Sequence, residues 1–103
     1  RVLDQCPATA EVLGEIADAM QGSGMKILVD GGIRSGVDVL KALALGADAA
    51  VIARPFVTAV YGGAEEGVKV YIEKIGAELA DAMEMCGVHD LKSITREIIR
   101  LPR

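Results

Sequence analysis

Val29-Asp30-Gly31-Gly32-Ile33-Arg34-Ser35-Gly36 is the stretch that decides the fold. It follows Met25-Lys26-Ile27-Leu28-Val29, a short apolar run without polar alternation, the pattern of a parallel strand covered on both faces. The run stops at Asp30, and two glycines permit a tight turn. Ser35 then reads as a helix N-cap, with Asp38 three residues on in the manner of a capping box. Strand, turn and helix therefore meet within a dozen residues. Glycine lets backbone approach a ligand, the N–H groups opening a helix favour an anion, and Arg34 adds a charged fork. An ordinary glycine turn with a solvated Arg34 is the other reading, and this segment alone leaves both open.

Working outward, residues 7–21 carry Val12, Leu13, Ile16, Ala17 and Met20 at helical spacing, with Pro7 expected in the opening turn. Downstream, Val37, Leu40, Leu43 and Ala44 form the expected buried stripe of the next helix, and Gly46 stands where a left-handed terminal residue belongs. Asp48-Ala49-Ala50-Val51-Ile52-Ala53 reads as a second buried strand, ended by Arg54-Pro55, where another helical stretch begins. A long helix over roughly 64–86 carries Val68, Ile72, Ile75, Leu79 and Met83 on one face, opens with the dipole-compensating pair Glu65-Glu66 and closes at Gly87. Residues 90–103 read as a short helix and a sparse basic tail, with Arg96, Arg100 and Arg103 in solvent. Alternating helices and short apolar strands indicate a parallel α/β arrangement. Two strands do not make an independent sheet, so the pattern is that of a piece of a larger α/β barrel or doubly wound sheet.

The 103 residues fit one domain at most. With 51% hydrophobic residues, only 3% aromatic ones and a mean hydropathy of +0.36, the chain is a folding one with an aliphatic core. A net charge of −4 argues against a duplex nucleic-acid binder, which needs a basic face. Asp30, Lys41, Asp48 and Arg54 interrupt every apolar run long enough to suggest a membrane span. Cys6 and Cys86 form neither a disulfide framework nor a CxxC pair, which points to a reducing cytoplasm. The sequence begins at Arg1 without Met, as a processed or truncated product would.

Ile52-Ala53-Arg54-Pro55 repeats the strand–arginine–helix order of the first motif one unit later. Two such strand ends would converge on one phosphate, as they do after the last two strands of (β/α)8 barrels. No Gly-Lys-Ser/Thr and no GxGxxG is present, which excludes a Walker loop and the dinucleotide fingerprint. His89, the only histidine, lies past the long helix and reads as a surface or capping residue. Cys6 and Cys86 read as buried or inert thiols without an activating base. One histidine and two scattered cysteines make no zinc site.

Taken together, Arg1-Val2-Leu3-Asp4-Gln5-Cys6-Pro7-Ala8-Thr9, the run from Val29 to Ala47, and Ile52-Ala53-Arg54-Pro55 resemble the FMN-dependent α-hydroxy acid oxidases and dehydrogenases, of the glycolate oxidase and lactate oxidase kind. Gly63-Ala64-Glu65-Glu66-Gly67-Val68 favours that family over other flavin and phosphate barrels with a looser DGGIR-like turn. The resemblance covers nearly the whole chain.

It implies that residues 1–103 are the C-terminal portion of a (β/α)8 TIM barrel, the last two βα units plus the C-terminal helices. The implied parent enzyme oxidises a 2-hydroxy acid to a 2-oxo acid, with the hydroxyl proton passing to a histidine and a hydride equivalent to FMN. Asp30, Gly31, Gly32, Ile33 and Arg34 match the first part of the family's FMN-phosphate site, and Ala53 and Arg54 the second. Ala53 departs from the glycine usual there. Arg1 matches the arginine that grips the substrate carboxylate, and the catalytic histidine is expected three residues before it. The implied partners are a small 2-hydroxy acid, the N-terminal remainder of the barrel and further copies of the chain, with no nucleic acid and no membrane span. The chain alone is expected to be inactive. The competing expectation is a stand-alone phosphate- or FMN-binding or assembly module without redox activity.

Overall fold

Helix α1 (Thr9–Ala19) starts where the Glu11 carboxylate accepts a hydrogen bond from the Ala8 N–H at 2.8 Å. Ala8 is the N-cap, so Pro7 lies one residue outside the helix rather than in its first turn. The computed structural model describes residues 3–102 of the chain. The remaining elements are β1 (Leu28–Asp30), α2 (Gly36–Ala44), β2 (Ala49–Val51), α3 (Arg54–Met85) and two single 3-10 turns, Leu91–Ser93 and Arg96–Ile98. The order strand–helix–strand–helix is the one the sequence predicts.

β1 and β2 pair in parallel, with Leu28 opposite Ala49, Val29 opposite Ala50 and Asp30 opposite Val51. Each strand is three residues long, shorter than the runs 25–29 and 48–53 suggested. Ile27 shows why: its N–H donates to the Asp48 carboxylate at 2.8 Å, and its carbonyl accepts from Asp48 N, also at 2.8 Å. The strand entry is thus closed by a side chain instead of by further ladder. The expectation of strands covered on both faces also fails. Val29 is buried and Ala50 half-buried, but Leu28 is 65% exposed and Val51 39%. One face of the sheet packs on helices and the other is open.

The covered face has a small aliphatic core. Leu13, Val29, Ala42 and Ala47 form one cluster, and Leu40, Ala44 and Ile94 a second on the far side of α2. Helix α2 is therefore buried along Leu40, Ala42 and Ala44, whereas Val37, expected inside, is exposed. Gly46, at φ +114°, supplies the left-handed residue after α2. Gly36 marks the closest helix contact: a Cβ there would lie 2.6 Å from the Ile75 carbonyl oxygen and from Glu78 Cβ, so only glycine lets α2 begin against α3.

Helix α3 runs through the two stretches that the sequence separated, and it breaks where they join. Gly63 and Ala64 have non-helical dihedrals, and Glu65-Glu66 follow the break at the opening of the second segment. Its expected apolar face is only partly covered: Ile75, Leu79 and Met83 are half-buried and Ile72 is exposed. Gly87, at φ +69°, ends it.

The C-terminal stretch is two 3-10 turns instead of a helix, and Arg96 is not a solvated tail residue. Its guanidinium forks onto both carboxylate oxygens of Asp18, at 2.8 and 3.0 Å, and donates to the Gly14 carbonyl at 2.7 Å. It clasps the chain end to α1. Arg100 is exposed, and Arg103 lies outside the described residues. Cys6 and Cys86, expected buried or inert, are both free and exposed. Among the described residues no helix is long and apolar enough to cross a membrane.

Candidate functional site

The ends of β1 and β2 open into one cleft of about 880 Å³. Asp30, Gly31, Gly32, Ile33 and Arg34 line it from the first strand end, and Ala53 and Arg54 from the second. All seven residues picked out from the motifs for one ligand thus share one cavity. Arg1, the eighth site residue expected, lies outside the described residues.

Each half of the cleft is built locally. Gly31 and Gly32 adopt φ +115° and +75°, so the chain turns sharply where β1 ends, in conformations that L side chains rarely enter. Thr9 pins this turn from α1: its hydroxyl donates to the Asp30 carbonyl at 2.7 Å. Ser35 caps α2 by accepting from the Asp38 N–H at 3.2 Å. The capping box is half displaced, because the Asp38 carboxylate accepts from Arg34 N at 3.1 Å instead of from the N-cap. The displacement ties Arg34 into the helix start. In the second half, Ala53 is the N-cap of α3 and Pro55 occupies its opening turn, where its missing N–H costs nothing. Ala53 has φ −118°, outside the left-handed region that requires glycine.

The N-terminus of α3 and two arginines, Arg34 and Arg54, therefore line one cavity, and α2 starts just beyond Arg34 with its Gly36 N–H held by Glu78 and its Asp38 N–H by Ser35. Helix N-termini carry partial positive charge and unpaired N–H donors, and arginine matches the geometry of phosphate and carboxylate oxygens. The cleft suits an anion of phosphate size with an apolar or neutral body, since Val51, Pro55, Ala59 and Val70 also line it.

The sequence reading missed the wall contributed by the second segment of α3. Tyr71 and Lys74 line the cleft together with Thr58 and Gly67. The Tyr71 hydroxyl donates to the Arg34 carbonyl at 2.6 Å. Its ring meets Phe56 edge-on, with centroids 4.8 Å apart and planes at 77°. Lys74 lies 2.7 Å from Glu78, whose other carboxylate oxygen accepts from Gly36 N at 3.2 Å. Burial raises the Tyr71 phenol above its ordinary value, with Lys74 opposing and Glu78 and Asp38 adding, so the hydroxyl remains a donor at neutral pH. The hydrogen bond between Lys74 and Glu78 raises the ammonium and lowers the carboxyl, and Gly36 N holds the carboxyl lower still. The available signal was the helical spacing of Tyr71, Lys74 and Glu78. His89 is exposed beyond α3 and is not part of the cleft lining.

Residues 1–101 match the sequence profile of the family described as FMN-dependent dehydrogenase. Human 2-hydroxyacid oxidase 1 is 42% identical over 100 residues, 97% of this chain and 27% of the relative. The 4-hydroxymandelate oxidase of Amycolatopsis orientalis is 44% identical over 96 residues, 93% of this chain and 27% of the relative. A crystal structure of mandelate oxidase with benzoyl-formic acid superposes with a TM-score of 0.86 at 44% identity, over 91% of this chain and 28% of that one. A mandelate oxidase variant with a monooxide FMN adduct matches equally well, over 91% of this chain and 30% of that one. The chain thus spans little more than a quarter of the length of these relatives.

Proposed function

Because the chain belongs to the FMN-dependent dehydrogenase family, we propose that its cleft holds the phosphate of FMN in a barrel that oxidises 2-hydroxy acids to 2-oxo acids. The observation that carries this reading is the convergence of two strand ends, each followed by an arginine and a helix start, on one cavity. The donor set fits a phosphate dianion. The backbone of Gly31, Gly32 and Ile33 would approach it closely, while Arg34 and Arg54 balance its charge. Ala53 would contact it through its backbone N–H.

In this reading residues 1–103 are the last two βα units and the C-terminal helices of a (β/α)8 barrel. The open sheet face, with Leu28, Asp30, Ala49 and Val51, is then barrel interior. FMN, when bound, supplies the acceptor for the hydride equivalent leaving the hydroxyl-bearing carbon of the substrate. Arg1 grips the substrate carboxylate. The family resemblance implies that a histidine of the barrel outside residues 1–103 would take the proton; His89 is not among the cleft-lining residues. The two exposed free thiols suit a reducing compartment such as the cytoplasm.

Titrating the purified chain against flavin fluorescence, with FMN and with riboflavin, tests the phosphate assignment. FMN should bind at least tenfold more tightly, and equal affinities would remove the reading. Lactate, glycolate and mandelate with FMN and a dye acceptor should give no turnover by the chain alone. The uncovered sheet face should also draw copies of the chain together, so a clean monomer in sedimentation at micromolar concentration would count against an incomplete barrel.

A further inference from the structure

We propose that Tyr71 is a positioning residue that sets the distance between the two anion-binding turns; this rests on the phosphate reading of the cleft. Arg34 belongs to the first turn, and Phe56 follows Arg54 by two residues in the second. Tyr71 meets both. Its hydroxyl holds the Arg34 carbonyl at 2.6 Å, and its ring packs edge-on against Phe56. An edge-to-face aromatic pair has a preferred geometry, and a hydrogen bond this short has a narrow range of length, so the two contacts act as a strut of fixed length.

The strut has a stiff base. Lys74 and Glu78 continue along the same face of α3, and Glu78 reaches Gly36 N at the start of α2. The second segment of α3 is therefore fastened to the first turn at two heights, by Tyr71 and by Glu78. The wall of the cleft that Tyr71 forms comes after the Gly63–Ala64 break, which folds α3 back far enough for residue 71 to face residue 56. Beside Tyr71, the β1–α2 turn is held by Thr9, by Asp38 and, at Gly36, by Glu78. Tyr71 need not touch the anion itself: it acts through the placement of the two turns.

The test is the ratio of FMN to riboflavin affinity in the full chain, compared among wild type, Tyr71→Phe, Tyr71→Leu and Phe56→Leu. A spacing role acts on phosphate recognition, whereas a merely structural role would weaken both flavins equally. Tyr71→Phe, which keeps the ring, should reduce FMN affinity about fivefold, the scale of one hydrogen bond, and leave riboflavin affinity unchanged. Tyr71→Leu should reduce it further, and Phe56→Leu should lower the same ratio from the other end of the strut. Ratios at the wild-type value in these variants overturn the proposal while leaving the phosphate site intact. A wild-type chain that does not distinguish FMN from riboflavin overturns both.

Discussion

The two faces of one three-residue strand have opposite fates. Val29 is 5% exposed among Leu13, Ala42 and Ala47, while its neighbour Leu28 is 65% exposed on the open side. Both are aliphatic, and alternation along a strand puts them on opposite faces. The covered face is finished: Leu13 of α1 and Ala42 of α2 meet the sheet, and Arg96 clasps the chain end over α1. The open face leaves Leu28 and Val51 exposed, and in the proposed barrel it is the face turned to the interior. The cleft lies at the strand ends, lined by both turns.

Substitutions that treat the faces unequally should break or sharpen this contrast. Leu40→Ala, in the covered cluster with Ala44 and Ile94, should lose about 2–4 kcal/mol in urea unfolding, whereas Leu28→Ala should stay within about 0.5 kcal/mol. Equal losses would mean that the open face is not open in solution. Gly36→Ala wedges a methyl between α2 and α3 and should destabilise by about 1–3 kcal/mol by the same measurement. Ser35→Ala removes the cap of α2 and should lose about 1 kcal/mol, together with part of the affinity for FMN, because the cap adjoins the first turn. Arg96→Ala cuts a partly exposed ion pair and a hydrogen bond to the Gly14 carbonyl, so its loss should be near 1 kcal/mol or below.

The smallest effect is in pH. Glu78 is lowered from its ordinary 4.5 by Lys74 and Gly36 N, and Asp90 from 3.8 by its bonds to Ser93. A depressed carboxyl contributes stability that is fully present above the ordinary value and is lost as pH falls through the folded one. Lys74 is raised from 10.5 by Glu78, so its contribution is full below that value and fades as pH rises through the folded one. The unfolding midpoint should therefore fall on the acid side of 4.5, and Glu78→Gln should flatten that slope. An unchanged slope would detach Glu78 from the α2–α3 contact.

How much of this the sequence carries follows from how local each feature is. The turn at residues 29–36 and the start at 53–55 are each set within a few residues, so their strand–turn–helix form and their seven cleft residues could be read directly. The strand lengths could not, because Asp48 closes the entry of β1 from 21 residues away. Covered and open faces look alike in a continuous apolar run, since coverage depends on what packs there. Tyr71 was hidden for the same reason: its partner Arg34 is 37 residues distant, and only folding brings them together. Arg96 resembles a tail residue until Asp18, 78 residues earlier, arrives beside it.

The central claim is that two turns serve one anion. Titrating the chain with inorganic phosphate while following backbone amide shifts tests it most directly. The predicted result is that Gly31, Gly32, Ile33, Arg34, Ala53 and Arg54 shift together with a single dissociation constant. Shifts confined to one turn, two separate constants, or no shift at either turn would contradict it.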